Sequence, residues 1–344
     1  MRAAVAERIG VMTVLDRPEP GDPGPGQVLV RPEAVGLCGS DYHLFAGEMS
    51  DAAGGSQFPR VLGHEVGATI AAVGPDCRSE LAGGRRVAML PISSCGRCYP
   101  CSVGRPNACD NFQLVGIHLD GGLQEQLILP QEQVFPIDAA DGALAALAEP
   151  VSVAVHAVHR GRIQAGERVA VFGAGPIGQC VVVVARELGA DVLLIDLQES
   201  RLAMGQAMGA ETLAWTTAAE VVAYAREWSG PSGVPVAIDA TGVPAAVRAM
   251  VDVVASAGRA VQVGMSTDDA PIRIGSLTEK ELDVLGASCC TAEDFAEAVG
   301  VVERNADALA RLVSHQFALD EAPEAMRFAM SNPTEVMKVV IRDE

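Results

Sequence analysis

Four cysteines crowd into one short stretch, CGRCYPCSVGRPNAC, and their spacing indicates metal chemistry. They are spaced C-x2-C-x2-C-x7-C and are Cys95, Cys98, Cys101 and Cys109. Gaps of two residues let neighbouring thiolates converge on one tetrahedral ion, so the pattern predicts a closed structural zinc site. An iron–sulfur cluster is the alternative, because its ligands have similar spacing. A redox-active Cys-x-x-Cys pair fits less well, since it would leave two cysteines without a role.

A second group of candidate ligands is spread over the first 150 residues. Cys38 lies in GLCGSDYH, His64 and Glu65 lie in GHE, and Glu149 precedes Pro150. A cysteine, a histidine and a carboxylate can hold zinc while one position stays open for water or substrate. Taken singly, these residues are also typical of a buried thiol, a core histidine and a solvated glutamate. Their occurrence in one chain with the four-cysteine loop favours a second, catalytic zinc site.

A third sequence pattern is typical of a binding site for a phosphate-bearing ligand. Arg168–Phe172 has the pattern of a buried strand and runs directly into GAGPIG, which matches G-x-G-x-x-G and opens a helical segment. The first glycine allows the tight turn, the second admits a pyrophosphate and the third lets the helix pack on the strand. The helix N-terminus supplies N–H donors. We therefore expect a dinucleotide at the residues of this turn, Gly173, Gly175, Pro176, Ile177 and Gly178.

The strand that follows indicates which dinucleotide. VLLID ends at Asp196, 18 residues after Gly178. A carboxylate there accepts hydrogen bonds from the adenosine ribose of NAD and repels the 2′-phosphate of NADP. The sequence therefore favours NAD, and the nearby Arg201, which could reach a phosphate, keeps NADP as the alternative. Gly264, directly after the strand candidate Arg259–Val263, joins the cofactor-binding candidates.

The elements that must position these residues differ between the two parts of the chain. In the first 150 residues, short apolar runs between prolines and glycines are typical of a β-rich domain. Its strand candidates are Gln27–Arg31, Glu65–Val73 and Arg86–Met89. From about Leu144, apolar strands alternate with alanine-rich helical segments, which predicts a doubly wound parallel sheet. The candidates there are the strands Arg168–Phe172, Asp191–Asp196, Val236–Asp239 and Arg259–Val263 and the helices Ile177–Leu188, Ser200–Met208 and Pro244–Val254. A helix over Ala292–Glu303 and a strand over Met337–Ile341 are predicted in the tail.

Length and composition narrow the classes of function. The 344 residues are enough for two domains, and a hydrophobic content of 49% supports packed cores. A net charge of −19 without a Lys/Arg cluster argues against a nucleic-acid partner. We expect no membrane span, because no apolar run approaches roughly 20 residues, and no signal peptide at the start, MRAAVAERIGVM. These features predict a cytoplasmic protein, in which disulfides between the loop cysteines rarely persist.

Taken in order, these motifs resemble those of the zinc-dependent medium-chain dehydrogenases over nearly the whole chain. The matching features are GLCGSDYH, PRVLGHE, the four-cysteine loop, Glu149-Pro150, GAGPIG and Asp196. EPVSVAVHA resembles the sorbitol and threonine dehydrogenase branches. GIHLDGG, IDATG and TAEDF resemble bacterial dehydrogenases of hexonates such as L-galactonate and L-gulonate.

The resemblance implies an α/β fold in two parts. A β-rich GroES-like catalytic domain, residues 1–150 and 290–344, would accompany a Rossmann NAD-binding domain, residues 151–289. The C-terminal tail would rejoin the first domain. A homodimer or homotetramer is also implied, with two zinc ions per chain.

The family's catalytic zinc site carries over to the second group of ligands. Cys38, His64 and a carboxylate would bind the metal. Glu65 and Glu149 both remain candidates for that carboxylate, because both positions ligate zinc in some family members or states. Asp41 would orient His64.

The activity implied is hydride transfer from a secondary alcohol of a polyol, sugar or sugar acid to NAD. Zinc would act as a Lewis acid on the substrate hydroxyl. Ser40 would relay the hydroxyl proton and His43 would pass it to solvent, which suits a histidine because its pKa is near neutrality. A hydrogen-bonded surface histidine is the alternative for His43. The remaining histidines and cysteines are expected to be structural: His118, His156, His159, His315, Cys77, Cys180, Cys289 and Cys290.

The substrate and three alternative functions have to be considered. Hexonate dehydrogenases of this type show G-S-R-N-A where this chain has GASCC at residues 286–290, without the arginine. A neutral polyol is therefore as good a candidate as a sugar acid, and L-threonine 3-dehydrogenase is the closest competing activity. A zinc-free quinone reductase is disfavoured by the complete ligand set. A non-catalytic NAD-binding protein is the alternative from a different class.

Overall fold

The computed structural model describes residues 1–48 and 58–343, which form two compact units. The first unit is Met1–Glu149 with Thr291–Glu344, and the second is Pro150–Cys290. Pro150 and Cys290 thus belong to the second unit, whereas the sequence analysis assigns both to the first domain. The boundary between Glu149 and Pro150 falls inside a continuous helix, Ala148–Arg160, so no break in the sequence pattern marks it.

The described strands and helices have the following bounds. The strands are β1 Arg2–Arg8, β2 Val11–Asp16, β3 Gln27–Leu37, β4 Arg60–Val61, β5 Glu65–Val73, β6 Arg86–Met89, β7 Ile92–Ser93, β8 Gln113–Leu114, β9 Leu127–Pro130, β10 Val134–Pro136, β11 Arg168–Phe172, β12 Asp191–Asp196, β13 Glu211–Ala214, β14 Val234–Asp239, β15 Val254–Gln262, β16 Asp283–Gly286, β17 Val313–Ala318 and β18 Lys338–Arg342. The helices are α1 Gly39–Ala46, α2 Tyr99–Ser102, α3 Gly142–Ala146, α4 Ala148–Arg160, α5 Pro176–Glu187, α6 Glu199–Ala207, α7 Ala218–Ser229, α8 Pro244–Val253, α9 Ile274–Lys280, α10 Ala292–Arg304, α11 Ala306–Leu309 and α12 Ala322–Ser331.

The first unit is built around the long strand β3. Its neighbours β5, β9 and β18 all pair with it in antiparallel register, within a sheet of order β10-β6-β5-β3-β18-β17. A smaller sheet has the order β2-β1-β4. Alternate side chains of β3, among them Val28 and Val30, are fully buried, as expected for a strand that faces a core on one side.

Strand β3 is longer than the sequence predicts. The candidate Gln27–Arg31 stops before Pro32, because proline cannot donate a ladder hydrogen bond. The strand continues to Leu37 because its register against β5 shifts between Pro32 and Ala34. This irregularity carries the chain to Cys38.

The second unit contains the predicted doubly wound parallel sheet. Its order is β13-β12-β11-β14-β15-β16, and every pairing is parallel. The central strands are apolar and buried on both faces, as parallel sheets covered by helices require. The chain order reverses beside β11, so the carboxyl ends of β11, β12 and β14 form the crevice in which such sheets bind ligands.

The C-terminal tail belongs to the first unit. Strand β18 pairs antiparallel with β3, with Val340 opposite Gly36, and parallel with β17. Residues far apart in sequence therefore meet at the end of β3.

One helical segment corrects the expectation that no apolar run is long enough to span a membrane. Gly142–Arg160, 19 residues, passes that test by length and composition. However, 83% of its apolar window is buried inside the protein. We therefore assign the segment to the protein core.

Candidate functional site

The four-cysteine loop brings its sulfur atoms together. The Sγ atoms of Cys95, Cys98, Cys101 and Cys109 all lie within 4.8 Å of one another. Those of Cys98 and Cys101 are 3.4 Å apart, and those of Cys98 and Cys109 are 3.7 Å apart. These distances exceed the roughly 2.05 Å of a disulfide. They are close to the roughly 3.8 Å edge of a tetrahedron with Zn–S bonds of about 2.3 Å.

The electrostatics of the loop also fit a cation. Backbone N–H groups of Cys95 and Asn111 point at Sγ of Cys109 at 3.2 and 3.3 Å. Backbone N–H groups of Arg97 and Cys98 lower the pKa of the Cys95 thiol to about 6. By contrast, burial and the neighbouring sulfurs raise the pKa of Cys101 to about 11. Thiolates this close repel one another, so full ionisation requires a bound metal ion.

A serine substitution in this loop gives a first prediction. Cys98→Ser should remove one metal ion per chain and lower the midpoint of thermal unfolding, because a structural thiolate site contributes folding free energy directly. Elemental analysis and calorimetry measure both effects. Cys77→Ser is the matched control, since Cys77 lies outside the loop and its thiol donates to the carbonyl of Gln27 at 3.3 Å. Unchanged metal content in Cys98→Ser would contradict a metal site in the loop.

The second group of ligands meets where β3 ends and β5 begins. Cys38 occupies the N-cap position of α1, directly after β3, and antiparallel pairing sets Gly36 opposite Glu65. One ligand atom from each of Cys38, His64 and Glu65 lies within 4.8 Å of the others. His64 and Glu65 are buried, whereas Cys38 is half-buried. A metal ion held here would therefore be accessible from the cysteine side.

Asp41 fixes the two turns that carry these ligands. Its side chain is fully buried and accepts hydrogen bonds from the N–H of Cys38 at 2.9 Å and of Gly63 at 3.2 Å. Its Oδ1 also lies 3.5 Å from Nδ1 of His64. Asp41 thus sets the orientation of the imidazole ring, as carboxylates behind metal-binding histidines do.

The charge of this site favours a cation. Burial alone would lower the pKa of His64, but Asp41 and Cys38 raise it well above its ordinary value. Burial alone would raise the pKa of Asp41, yet His64 and the backbone donors leave it lowered. The surroundings therefore stabilise a positive charge, which a divalent metal supplies when the histidine is neutral. Oε2 of Glu65 is buried without a hydrogen-bond partner in the described residues, so this oxygen fits the role of a ligand for a cation.

Glu65 has a partner that the sequence analysis overlooks. Its Oε1 accepts a hydrogen bond from Nζ of Lys338 at 2.6 Å, and Nζ also donates to the carbonyl of Leu37 at 3.2 Å. Lys338 lies on β18 and Glu65 on β5, so the pair crosses the intervening strand β3. A Cβ on Gly36 would overlap Oε2 of Glu65, so the glycine leaves room for the carboxylate in this position. The signal in the sequence is a lysine at the start of the terminal strand, directly before the apolar run Val339–Ile341.

Glu149 lies near this group but is not part of it. It sits in the first turn of α4 and is buried. Burial raises its pKa to about 7, with Glu65 adding to the increase and His64 opposing it. Of the two predicted carboxylates, the structure therefore places Glu65 within the ligand cluster and Glu149 beside it.

Ser40 and His43 both lie on α1, next to Cys38. Oγ of Ser40 is 3.3 Å from Nε2 of His64. His43 is exposed, and its Nδ1 is 2.8 Å from Oε2 of Glu48. Since they are three residues apart, Ser40 and His43 share one side of the helix.

The glycine-rich turn of the second unit has the geometry expected of a nucleotide site. Gly175 is the N-cap of α5, with Pro176 and Ile177 in the first turn. A Cβ on Gly178 would overlap the carbonyl oxygen of Gly173, so only glycine allows this close packing of helix and strand. Asp196 ends β12 beside the turn and accepts hydrogen bonds from Ala174 N at 2.6 Å and Gln198 N at 2.8 Å.

A largely apolar cavity of about 140 Å³ lies next to this turn. Phe172 and Trp215 form aromatic walls, with ring centroids 6.2 Å apart. Asp196 and Thr241 are its polar lining residues. Flat apolar walls with a carboxylate at one side suit an adenine ring and its ribose. The sequence analysis assigns no role to Trp215, which follows β13, or to Thr241, which lies in the IDATG motif after β14.

The two remaining cofactor candidates lie in the second unit as well. Arg201 is on α6, and its carbonyl accepts from Nε2 of Gln179 at 2.8 Å. Gly264 follows β15 and approaches the backbone of Gly242 so closely that a Cβ would overlap the nitrogen atom of Gly242. Gly264 is thus part of the wall of the crevice rather than of the glycine-rich turn.

Comparison with known proteins gives matches in both units. Residues 24–139 match the alcohol dehydrogenase GroES-like domain, and residues 176–304 match the zinc-binding dehydrogenase family. The L-galactonate-5-dehydrogenase of Escherichia coli K12 is 31% identical to this chain, covering 93% of it and 92% of the relative. The chain belongs to the zinc-type alcohol dehydrogenase family. Sorbitol dehydrogenase of Bacillus subtilis is also 31% identical, with coverage of 99% and 97%.

Solved structures of this family have the same fold as the chain. An E. coli CFT073 alcohol dehydrogenase in complex with NADH has a TM-score of 0.89 at 28% identity, covering 99% of both chains. A zinc-binding dehydrogenase of Sinorhizobium meliloti bound to NADP has a TM-score of 0.88 at 32% identity, covering 99% of this chain and 98% of that one.

Family membership confirms several predictions from the sequence. The protein is a zinc-type oxidoreductase of small-molecule alcohols, with a GroES-like part and a Rossmann-like part. Its relatives include polyol and sugar-acid dehydrogenases, which supports the predicted branch. Solved relatives bind NADH in one case and NADP in the other.

Proposed function

We propose that the protein oxidises a secondary alcohol of a polyol or sugar acid with NAD as the hydride acceptor. The observation that carries this proposal is the cluster of Cys38, His64 and Glu65 in a protein that also has a dinucleotide crevice. Relatives named for L-galactonate and sorbitol support the substrate class. The arginine missing from the GASCC segment leaves a neutral polyol as plausible as a hexonate.

We assign one zinc ion to each ligand cluster. The four loop cysteines would hold the structural ion, and Cys38, His64 and Glu65 would hold the catalytic ion, with Glu149 beside it. When bound, the catalytic zinc supplies Lewis acidity at the substrate hydroxyl. The half-buried side of Cys38 leaves room for that hydroxyl, and Asp41 keeps the imidazole of His64 in the orientation that ligation requires.

The proton leaves through residues of α1. Oγ of Ser40, close to Nε2 of His64, is placed to accept the hydroxyl proton and donate its own. Because Glu48 holds Nδ1 of His43, Nε2 of that ring is available to take up the proton. The exposure of His43 then allows transfer to water. Hydride transfer itself is the chemistry of the nicotinamide, and the crevice residues orient the cofactor for it.

The preference for NAD depends on Asp196. Asp196→Ser should lower the NAD-to-NADP ratio of kcat/KM by roughly 10- to 100-fold, about 1.4 to 2.8 kcal/mol, because the variant loses ribose acceptors and no longer repels a 2′-phosphate. Steady-state kinetics with both cofactors measures the ratio. Asp191→Ser, at the other end of β12 and paired with Arg186 on the surface, is the control. An unchanged ratio would show that another residue determines cofactor choice.

We further propose a cytoplasmic homodimer or homotetramer. Strand β16 is an edge of the six-stranded sheet, and among the described residues it pairs with β15 alone. Such an edge presents free N–H and C=O groups to a second copy, and Val284 on this strand is exposed. Light scattering of the purified protein would give the mass directly, and a monomer would rule out this assembly.

A zinc assay and a substrate screen test the proposed function. Zinc per chain is measured first, and then NAD and NADP reduction is followed with polyols, hexonates and L-threonine. Two zinc ions with NAD reduction on a polyol or hexonate would support the proposal. Turnover of L-threonine alone would reassign the substrate class. One zinc without turnover, even after zinc is added back, would contradict the catalytic site at Cys38 and His64.

A further inference from the structure

A fully buried carboxylate lies under the nucleotide crevice, where the proposed mechanism gives it no role. Asp239 ends β14 and has no solvent exposure. Its Oδ1 accepts a hydrogen bond from Oγ1 of Thr241 at 2.6 Å. Its Oδ2 accepts from N of Gly242 at 2.7 Å and from Nε2 of Gln262 at 2.6 Å. All three donors are neutral, and Asp239 forms no ion pair with a lysine or arginine within the described residues.

These bonds join two loops. Thr241 and Gly242 belong to the loop after β14, whereas Gln262 ends β15. The main-chain carbonyl of Asp239 adds two more links, accepting from the N–H groups of Val263 at 2.9 Å and Gly264 at 2.9 Å. Gln262 in turn donates to the carbonyl of Gly264 at 2.8 Å. One residue therefore fixes both loops at the carboxyl edge of the sheet.

The loop after β14, which Asp239 holds in place, forms part of the proposed cofactor cavity. Thr241 lines that cavity together with Gly173, the first glycine of the fingerprint. A Cβ on Gly173 would come within 2.6 Å of Cγ2 of Thr241, so the threonine methyl group covers the turn directly. The hydroxyl of Thr241 donates to Asp239 and accepts from N of Val243 at 3.0 Å, and the shorter of the two bonds is the one to Asp239. The carboxylate thus reaches the nucleotide turn through a single intermediate side chain.

The residue type at position 239 follows from this arrangement. A carboxylate has only acceptor sites, enough for all three donors at once. An asparagine at this position has one acceptor oxygen. Its NH₂ group would take the place of the second carboxylate oxygen and would face an N–H or O–H donor instead of accepting from it. A buried charge without a cationic partner is costly unless hydrogen bonds compensate it, so Asp239 can be kept only by the complete set of donors from both loops.

We propose that Asp239 is a positioning residue for the dinucleotide. It holds the loops after β14 and β15 so that Thr241 packs against Gly173 and shapes the cavity before the cofactor arrives. This inference rests on the proposed use of the second unit as the cofactor site. It adds a determinant of cofactor affinity that does not touch the cofactor.

Binding of NADH to the zinc-loaded protein tests the proposal, with affinity measured by calorimetry. Asp239→Asn should raise the dissociation constant at least tenfold. At saturating cofactor, kcat should stay within about threefold of wild type, so the effect appears in KM for NAD. Thr241→Val keeps the methyl group and deletes the hydroxyl, and it should weaken NADH binding in the same direction. The double variant should be no weaker than Asp239→Asn, because both changes remove the same link.

The control is Asp294→Asn, a second buried aspartate that lies in the capping box of α10 in the other unit. It should reduce thermal stability without changing the NADH dissociation constant. The proposal is overturned if folded Asp239→Asn binds NADH within twofold of wild type, or if Asp294→Asn weakens binding equally. Absence of NADH and NADPH binding by the wild-type protein would instead refute the cofactor site itself, so the two failures are distinguishable.

Discussion

Replacing His64 by alanine should reduce kcat about 10³-fold and remove one of two zinc ions per chain. The histidine supplies the nitrogen ligand of the proposed catalytic site, is buried, and lies beside Asp41 and Ser40. Without it, two protein ligands remain, and the Lewis acidity that the ion supplies at the substrate hydroxyl is lost. Loss of several kcal/mol of transition-state stabilisation corresponds to roughly this factor. Elemental analysis and steady-state kinetics measure the two effects independently.

Two further variants make this result specific. His315→Ala changes a histidine of the same unit whose ring packs against Phe328 and which does not belong to the ligand cluster, and it should leave zinc content and kcat unchanged within about twofold. Asp41→Asn should weaken zinc affinity by about 10- to 100-fold while leaving the ligands in place. If His64→Ala kept two zinc ions and more than a tenth of the wild-type kcat, the ligand role of His64 would be wrong.

The sequence predicts well those features that are local. The fingerprint turn, the four-cysteine loop and the buried parallel strands each have a pattern within one short stretch. Asp191–Asp196, for instance, is found with the predicted bounds. Short spacings constrain which side chains meet, because only a few backbone conformations connect them. Outer strands of the sheet, such as β13 and β16, are short and half exposed, so they lack the apolar run that marks the central strands.

What the sequence could not predict depends on contacts between distant segments. Whether Glu65 or Glu149 joins the ligand cluster is decided by the register of β3 on β5, which is set by the whole sheet. Lys338 reaches Glu65 from 273 residues away because β18 returns to β3. Asp239 belongs to the IDATG motif, yet its link to Gly173 depends on the parallel pairing of β14 with β11. The spacing of residues along the sequence does not predict contacts between such distant pairs.

The second large effect concerns stability. Lys338→Met should lower the free energy of unfolding by about 3 to 5 kcal/mol when no zinc is bound at Cys38, His64 and Glu65, measured by guanidinium unfolding in the presence of a chelator. The side chains of Lys338 and Glu65 are only 3% and 1% exposed, so the substitution leaves a buried carboxylate without its cation. Removal of one partner of a buried ion pair costs this much, mainly through the uncompensated charge. The added apolar volume of methionine does not compensate for that loss.

Under the same chelating conditions, in which Glu65 holds no metal, the double variant Lys338→Met/Glu65→Gln separates charge from packing. With both charges removed, most of the lost stability should return, since no uncompensated charge is left in the core. If the double variant were no more stable than Lys338→Met, packing rather than charge would account for the effect.

The effect of Lys338 on stability should also depend on pH. Burial would lower the pKa of Lys338, but Glu65 raises it above 10.5. The contribution of Lys338 is therefore fully present below its unfolded pKa and is lost only as the pH rises through the folded value. The difference between wild type and Lys338→Met should accordingly be constant across neutral pH and shrink in strongly alkaline buffer, whereas a contribution from packing alone would not follow this titration.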